Sequence, residues 1–324
     1  MRILFLYVED ATFVRADLEI LQRRAKVTPL HCSSPVGLSA LADRLLEHDL
    51  AFLWFGLGYA TRAVLLGRIL QRPTFLVGGG WDVADMPEIG YGAARGTYGH
   101  TRAAWTFGLA SRVLAFSEWS ARQIAQISPR ARVESVYLGV DTDLWSPSLV
   151  KEPIVLSVGH VSVTNLRRKG LETFARSSNL VPEARFVLAG RQEPQAARYL
   201  KAIGGPNLEL AGELEDESLR DLAARSRVYV QGSYTEGFGL AVAEAMSAGC
   251  VPVVTKLAAL PEVVGDTGFY VPYSNHVATA YAIRRALASD LGARARARVQ
   301  ERFAIRLRES SLWRIIESTA STTG

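Results

Sequence analysis

Residues 234–249 read Tyr-Thr-Glu-Gly-Phe-Gly-Leu-Ala-Val-Ala-Glu-Ala-Met-Ser-Ala-Gly, a glycine-flanked loop that leads into a short helix of small, apolar residues. Glu244 lies within that helix. Its neighbours three and four positions away are uncharged: Leu240, Ala241, Ser247 and Ala248. The helix therefore offers Glu244 no ion pair. Because burying an unpaired carboxylate costs on the order of several kcal/mol, Glu244 needs a distant backbone amide or a ligand with adjacent hydroxyl groups, such as a ribose.

The composition is that of a folded protein with room for two domains. The chain has 324 residues, of which 48% are hydrophobic. No apolar run reaches the roughly 18 residues of a membrane span, and Arg2–Val8 is interpreted as a β-strand, not a signal peptide. Cys32 and Cys250 form no metal-binding pattern. Two free, buried thiols in a cytoplasmic protein are therefore expected.

Arginine dominates the basic residues. The net charge is +5, and all but five of the 37 basic residues are arginine. One group near the C-terminus contains Arg294, Arg296, Arg298 and Arg302. This group is interpreted as a solvated helix face, with an acidic membrane surface as the alternative. The sequence has no zinc-finger spacing, aromatic RNA-binding signature or strongly basic domain, so no nucleic-acid partner is expected.

Short aliphatic runs alternate with amphipathic helical stretches, a pattern that predicts parallel sheets covered by helices. The predicted strands are Arg2–Val8, Val27–Cys32, Ala51–Phe55, Thr74–Val77, Arg112–Phe116, Val133–Leu138, Ile154–Val158, Arg185–Ala189, Leu208–Leu210, Val228–Gln231, Val251–Thr255 and Phe269–Val271. A turn-rich segment at 144–153 separates the halves. The sequence predicts an α/β fold of two doubly wound domains, 1–148 and 149–304, with a ligand-binding cleft between them.

Several nucleotide and metal motifs are absent from the sequence. The first strand-to-helix turn, Glu9–Thr12, has no glycine and so no dinucleotide fingerprint, and no Gly-Lys pair marks a Walker A loop. No nucleophile elbow or His-Glu-x-x-His helix occurs. Asp141-Thr142-Asp143 has the spacing of a metal-binding Asp-x-Asp, but it is interpreted as a turn capped by an aspartate side chain. No metal site is predicted.

Three basic residues follow the first strand of the second domain. The strand ends before Gly159, and after a polar loop Arg167, Arg168 and Lys169 are predicted to open a helix. Helix N-termini disfavour cations, so these residues point to a bound diphosphate, held by arginine as a fork and lysine as a point charge. A solvated charge run is the alternative.

The loop Gly237-Phe238-Gly239 ends where the next helix begins, at Leu240. Its backbone amides and the helix dipole favour a phosphate or a sugar oxygen. Glycine permits a close approach of backbone to ligand, and it equally permits a tight turn with positive φ. Together with the three cations and Glu244, the loop predicts binding of a nucleoside-diphospho-sugar.

These residues resemble those of a known family. Thr235–Gly249 resembles the Glu-x7-Glu signature of retaining glycosyltransferases of family 4, which have the GT-B fold. Arg168-Lys169-Gly170 is similar to the donor-phosphate segment of that family, and Leu138–Trp145 resembles its Gly-Val-Asp linker. Phe116-Ser117 and Leu260–Val264 resemble a strand end and a downstream turn. The resemblance extends over Arg112–Phe303 and is more specific in the second domain.

The resemblance implies a role for each site residue. Glu236, Arg168 and Lys169 would be catalytic, with Glu236 beside the transferred sugar and the two cations stabilising the departing diphosphate. Glu244 would bind the ribose hydroxyls. The remaining donor-binding residues would be Gly159, Arg167, Gly237, Phe238, Gly239 and Leu240. The resemblance further implies no metal or other cofactor, and a C-terminal helix at 305–320 that crosses back to the first domain.

The chain departs from the family pattern at three places. Gly159-His160 stands where many members have Gly-Arg, and Glu9–Thr12 replaces a glycine-rich loop. Gly78–Asp82 stands where many members carry a His-Asp pair for the acceptor. On the acceptor side, Trp81 would stack on a sugar ring and Asp82 would bind a hydroxyl. The alternative is a tight turn with a core tryptophan.

The predicted function is metal-independent, retaining transfer of a sugar from a nucleoside-diphospho-sugar to a glycan, lipid-linked or small-molecule acceptor by a cytoplasmic enzyme. Peripheral membrane contact stays open for a lipid-linked acceptor. One alternative is another GT-B enzyme, such as a sugar phosphorylase or a nucleotide-sugar epimerase. The other is a nucleotide-sugar-binding protein without catalysis, which the absence of the acceptor-side histidine favours.

Overall fold

The computed structural model describes residues 1–34 and 36–320. The chain divides into two compact units. The first contains Met1–Gly139 and the segment that begins at Arg306, and the second contains Val140–Ile305.

The first unit is a parallel six-stranded sheet with helices between successive strands. In chain order its elements are β1 (Arg2–Tyr7), α1 (Thr12–Gln22), β2 (Lys26–His31), α2 (Leu38–Leu46), β3 (Leu50–Trp54), α3 (Gly58–Ile69), β4 (Thr74–Gly78), α4 (Gly96–Leu109), β5 (Arg112–Ala115), α5 (Glu118–Ile127) and β6 (Val133–Ser135). The strand order is β2-β1-β3-β4-β5-β6. Every residue of β3 and β4 is buried, as expected for parallel strands covered on both faces.

The second unit repeats this architecture. Its elements are β7 (Glu152–Val158), α6 (Val163–Arg168), α7 (Leu171–Ser178), β8 (Arg185–Ala189), α8 (Pro194–Ile203), β9 (Leu208–Gly212), α9 (Asp216–Arg225), β10 (Ser226–Gln231), α10 (Leu240–Ser247), β11 (Val251–Thr255), α11 (Leu260–Val264), β12 (Phe269–Val271), α12 (His276–Leu287) and α13 (Gly292–Arg302). The sheet order is β12-β11-β10-β7-β8-β9. This is the doubly wound order whose switch point, here between β7 and β10, receives ligands at the carboxyl ends of the strands.

The predicted α/β class and all twelve predicted strands are confirmed, with boundaries that differ by no more than three residues. The aliphatic runs were a reliable guide because the central strands, such as β3, β4 and β11, are buried on both faces and consist of apolar residues for the most part. The two cysteines are free and buried, as predicted. Asp141 also behaves as predicted, since its Oδ1 accepts from the backbone N–H of Asp143 at 3.0 Å and of Leu144 at 3.1 Å.

The interpretation of the C-terminal arginines as a solvated face is wrong for two of them. Arg296 donates to the carbonyl oxygens of Trp145 and Ser247, at 2.9 Å and 2.5 Å. Arg298 donates to the carbonyls of Glu262 and Val263, both at 2.7 Å. These guanidinium groups satisfy carbonyls at the ends of α10 and α11. Carbonyl partners leave no charge pattern in the sequence, which is why the pairing was missed.

The final helix, α14 (Ile305–Ala320), is tied to the first unit by a buried ion pair. Nε and Nη2 of Arg308 donate to the two carboxylate oxygens of Asp17 in α1, each at 2.6 Å. Nη1 donates to the carbonyls of Val136 and Tyr137 at 2.9 Å. Both charged side chains are almost completely inaccessible to solvent. Burial raises the pKa of Asp17 although Arg308 acts to lower it, so the carboxylate depends on this partner.

We predict that Arg308→Met lowers the free energy of unfolding by about 3–5 kcal/mol, because it leaves the Asp17 carboxylate buried without a partner. Chemical denaturation measures the change. Arg314→Met is the matched control, since Arg314 lies in the same helix as Arg308 and forms an exposed pair with Glu134 of β6, and exposed pairs contribute roughly 0–1 kcal/mol. Equal losses for the two variants would contradict the assignment.

Candidate active site

The three predicted cations end helix α6, which the sequence interpretation took for a polar loop, and they directly precede α7, whose N-cap is Gly170. Arg167 and Arg168 occupy the last turn of α6, and Lys169 is its C-cap. The helix begins after Ser162, whose hydroxyl accepts from the backbone N–H of Asn165 at 3.3 Å. A helix C-terminus attracts cations, so their position in the helix does not by itself require an anion.

A close contact between two glycines brings Lys169 to the neighbouring loop. Gly170 has φ +67°, and a Cβ added there would lie 2.2 Å from the carbonyl oxygen of Gly232. The backbone N–H of Tyr234 also donates to the carbonyl of Arg168 at 2.8 Å. The end of α6 therefore packs directly against the loop that follows β10, and any side chain at Gly170 would push them apart.

Glu236 and Lys169 meet at the carboxyl ends of the two switch-point strands. Oε1 of Glu236 lies 3.5 Å from Nζ of Lys169 and accepts from Nε2 of Gln231 at 3.0 Å and Oγ of Ser233 at 2.8 Å. Burial acts to raise the pKa of Glu236, but the charges of Lys169 and Arg168 outweigh it, and the pKa lies below its usual value. The site therefore contains a fixed carboxylate beside a cation.

Sequence reasoning missed Gln231 and Ser233. Gln231 ends β10 and is buried, where it accepts from the hydroxyl of Tyr229 at 2.9 Å while donating to Glu236. Ser233 is also fully buried. The available signal was Gln231 directly after the run Val228–Val230, with Ser233 two residues further on, because buried polar groups require partners.

Gly159, Arg168 and Arg167 have different surroundings. A Cβ at Gly159 would lie 3.0 Å from Cδ of Lys169, so glycine leaves room for the lysine stem. Nε of Arg168 donates to Oδ1 of Asn165 at 2.9 Å, which orients the guanidinium. Arg167 is exposed, and its carbonyl accepts from the hydroxyl of Tyr273 at 3.0 Å. The structure brings Gly159 and Arg168 to the Lys169–Glu236 pair but does not place Arg167 in contact with Glu236.

The start of α10 presents backbone amides. Gly239, the N-cap, has φ +97° and no side chain to satisfy the first amides, so those of Leu240 and Ala241 lack an intrahelical acceptor. The side chain of Phe238 is buried edge-on against Phe303, with ring centroids 5.4 Å apart. Phe238 can therefore offer a ligand only its backbone. Leu260–Val264, predicted as a turn, is the short helix α11, and a Cβ at Gly239 would contact Leu260 at 3.0 Å.

Glu244 has no hydrogen-bond donor or ion-pair partner within residues 1–34 and 36–320. The distant backbone amide that the sequence left open as a partner is therefore absent from the described chain. Burial raises the pKa of this half-buried carboxyl group to about 8, and the negative charge of Asp216 acts in the same direction. A desolvated carboxyl group that can accept hydrogen bonds is thus left available beside the first turn of α10.

On the first unit, the structure corrects the role of Asp82. Its Oδ2 accepts from the N–H of Gly56 at 2.9 Å, and its Oδ1 accepts from those of Gly79 and Gly80 at 3.1 and 2.9 Å. The side chain is fully buried, so Asp82 holds the loops after β3 and β4 and is not available to a substrate hydroxyl. The alternative was right about the turn but wrong about the tryptophan, because Trp81 is 47% exposed.

Comparison with known proteins bears mainly on the second unit. Residues 152–289 match the family model "Glycosyl transferases group 1". A GDP-mannose:cellobiosyl-diphosphopolyprenol alpha-mannosyltransferase of Xanthomonas oryzae is 27% identical over 165 residues, which cover 49% of this chain and 43% of the relative. The chain thus matches less than half the length of that relative. An alpha-maltose-1-phosphate synthase of Mycolicibacterium smegmatis is 25% identical over 305 residues, 85% of this chain and 72% of the relative.

Solved structures resemble the whole chain. Anabaena Alr3699/HepE, solved in complex with UDP, superposes with a TM-score of 0.81 at 17% identity and covers 98% of this chain and 100% of its own. Sucrose-phosphate synthase from Thermosynechococcus elongatus gives 0.81 at 18% identity, covering 99% and 100%. Identities this low establish the fold alone. The fold is that of the GT-B glycosyltransferases, with two parallel six-stranded α/β units.

We predict that Glu244→Gln becomes increasingly stabilising, relative to the wild type, as pH rises. The folded state keeps a proton on Glu244 up to about pH 8, whereas the unfolded chain releases it near 4.5. Folding stability is therefore lost as pH rises between these values. The difference in free energy of unfolding should grow by roughly 2–4 kcal/mol between about pH 5 and about pH 9.

Chemical denaturation at several pH values measures this difference. Glu213→Gln is the control, because Glu213 is an exposed glutamate with no ion pair in the described chain. A Glu244→Gln effect that is as flat with pH as the control would show that the carboxylate is not desolvated.

Proposed function

We propose that the protein is a retaining glycosyltransferase of family 4, carrying the Glu-x7-Glu signature, which moves a sugar from a nucleoside-diphospho-sugar to an acceptor without a metal cofactor. The observation that carries the proposal is the unpartnered Glu244 carboxylate in a helix that begins with free amides, in the same unit as the Lys169–Glu236 pair. The relatives support it, since one is a GDP-mannose-dependent mannosyltransferase by name and a structural neighbour was solved with UDP.

In the proposed donor complex each polar part of the ligand meets a matching group. The ribose hydroxyls donate to Glu244, and the diphosphate lies between the α10 amides and the cations Lys169 and Arg168. The transferred sugar lies beside Glu236. Residues 149–304 would thus bind the donor, and residues 1–148, with the helix at 305–320, would bind the acceptor.

The proposed reaction breaks the bond between the anomeric carbon and the phosphate oxygen and forms one from that carbon to the acceptor oxygen. The acceptor hydroxyl gives its proton to the departing phosphate. Lys169 and Arg168 stabilise the negative charge that develops on the leaving group. The Glu236 carboxylate, held ionised by the same cations, stabilises positive charge on the sugar ring.

We propose only the chemical class of the acceptor, which is a glycan, a lipid-linked sugar or a small molecule. Trp81 is exposed and remains the proposed stacking surface for it. The proposed location is the cytoplasm, with peripheral membrane contact for a lipid-linked acceptor and no nucleic-acid partner. No helix in residues 1–34 and 36–320 has the length and apolar character to cross a membrane.

A nucleotide-sugar-binding protein without catalysis is the second candidate. One observation favours it. Asp82 accepts hydrogen bonds from three backbone amides, so this carboxylate, which was expected to bind the acceptor, is not available to do so. Incubation with nucleotide sugars separates the two functions. Transfer to an acceptor, or slow hydrolysis of the donor, indicates an enzyme, whereas binding with an intact donor indicates a binding protein.

We predict that Lys169→Ala lowers kcat/KM for sugar transfer at least about a hundredfold, because it removes a cation from the leaving diphosphate. Steady-state assays of nucleotide release measure the change, and circular dichroism verifies the fold. Lys201→Ala is the control, since Lys201 is an exposed lysine of α8. Turnover equal to that of the control would remove Lys169 from the proposed mechanism.

We also predict that nucleoside diphosphates release close to one proton from the protein on binding at about pH 7. Glu244 is protonated in the free protein at this pH, and the ribose hydroxyls favour its ionised form. Titration calorimetry with UDP and with GDP, in buffers of different ionisation enthalpy, counts the protons. Glu244→Gln should release none from this site and bind about tenfold more weakly. Unchanged proton release and affinity in Glu244→Gln would refute the ribose assignment.

A further inference from the structure

A second concentration of positive charge lies in the first unit. A cavity of about 630 Å³ is lined by five arginines, Arg68, Arg72, Arg112, Arg130 and Arg132. The other lining residues are neutral and include Gln71, Ser111 and Thr319. We call this cavity the arginine pocket. Five like charges around one cavity repel each other unless an anion is present.

The topology of the sheet accounts for this concentration. Strands β4, β5 and β6 are adjacent and parallel, so their amino ends share one edge. Arg72 lies two residues before β4, Arg112 is the first residue of β5, and Arg132 immediately precedes β6. The edge is braced by a reciprocal pair, in which the N–H of Thr74 donates to Oγ of Ser111 at 3.1 Å and the N–H of Ser111 donates to Oγ1 of Thr74 at 3.2 Å.

These guanidinium groups have no carboxylate partner within the part of the chain that the structure describes. Arg72 and Arg112 donate only to backbone carbonyls, those of Leu46 at 3.4 Å and Ser111 at 3.1 Å. Nε of Arg72 is buried and has no acceptor. Elsewhere in the same unit arginines are paired with acids, as in Arg2–Asp49, Arg23–Glu309, Arg24–Glu317 and Arg314–Glu134.

A solvated group of surface arginines is the simplest alternative. The buried, unsatisfied Nε of Arg72 argues against it, because a buried donor without an acceptor costs free energy that solvated side chains do not incur. The half-buried position of Arg112 argues in the same direction. The cavity is therefore short of acceptors, and negatively charged oxygens supply them.

We propose that the arginine pocket binds a phosphate-bearing ligand, either an anionic phospholipid headgroup or a soluble polyphosphate. Planar guanidinium groups match the oxygens of phosphate with paired hydrogen bonds, and a ligand with more than one negative charge is required to balance five cations. The site is separate from the proposed donor site, which belongs to the second unit. It lies at the amino ends of the first sheet, opposite the carboxyl edge that carries Gly79, Trp81 and Asp82.

The test compares two double variants with equal loss of charge. Arg130→Gln/Arg132→Gln removes two exposed arginines of the pocket. Arg44→Gln/Arg198→Gln, the control, removes two exposed arginines that lie elsewhere and form no ion pair in the described chain. The probes are inorganic pyrophosphate, titrated by calorimetry, and vesicles of phosphatidylglycerol with phosphatidylcholine, followed by co-sedimentation. The donor site is intact in both variants, so its own affinity for pyrophosphate cancels in the comparison.

We expect the pocket variant to lose at least about tenfold in affinity relative to the control, the effect of removing one hydrogen bond between charged groups. Loss confined to the vesicles identifies a lipid headgroup, and loss confined to pyrophosphate identifies a soluble ligand. Vesicles of phosphatidylcholine alone should bind neither variant. The proposal is overturned if both double variants bind both probes alike, or if the wild type binds neither.

Discussion

The candidate active site depends on the contact between Gly170 and Gly232. Strands β7 and β10 are neighbours at the switch point, and the chain leaves each of them in a different direction. The loops that follow can converge on one ligand only if their backbones approach closely. Gly170 permits this approach because it has a positive φ and no Cβ, which would otherwise lie 2.2 Å from Gly232. Lys169 is next to this contact in sequence and is therefore carried to Glu236.

Two glutamates eight residues apart acquire opposite properties from their surroundings. Glu236 is surrounded by donors and cations, so its pKa falls despite burial. Glu244 is desolvated by burial and lies near the negative charge of Asp216, so its pKa rises to about 8. In the proposed mechanism the first is an ionised group that stabilises positive charge, and the second becomes ionised when the ribose hydroxyls donate to it. The sequence shows that both residues are glutamates, but the local environment of each determines its protonation state.

The sequence predicted most of the fold because parallel strands buried on both faces leave long aliphatic runs, as in β3 and β4. It also predicted that α10 offers Glu244 no ion pair, since helical spacing alone shows which side chains are neighbours, but it left open a backbone amide from a distant segment. It could not predict the partners of Asp82 or Arg298, because these are backbone groups from distant loops and any sequence provides them. The sequence interpretation missed helix α6, which the cations end, for a local reason. Ser162 caps the helix earlier than the charge pattern indicated.

Three arginines of this chain show three distinct uses, and the partner distinguishes them. Arg308 neutralises a buried carboxylate, Arg298 satisfies helix-end carbonyls, and Arg72 has a buried donor with no acceptor. Arg308 and Arg298 find their hydrogen-bond acceptors within the protein and contribute to folding. Nε of Arg72 has no acceptor, and the carboxyl group of Glu244 has no donor, in the described chain. Since buried polar groups in folded proteins are almost always satisfied, unpaired groups that face a cavity or a candidate site are informative about ligands, and these two have opposite charges and lie in different units.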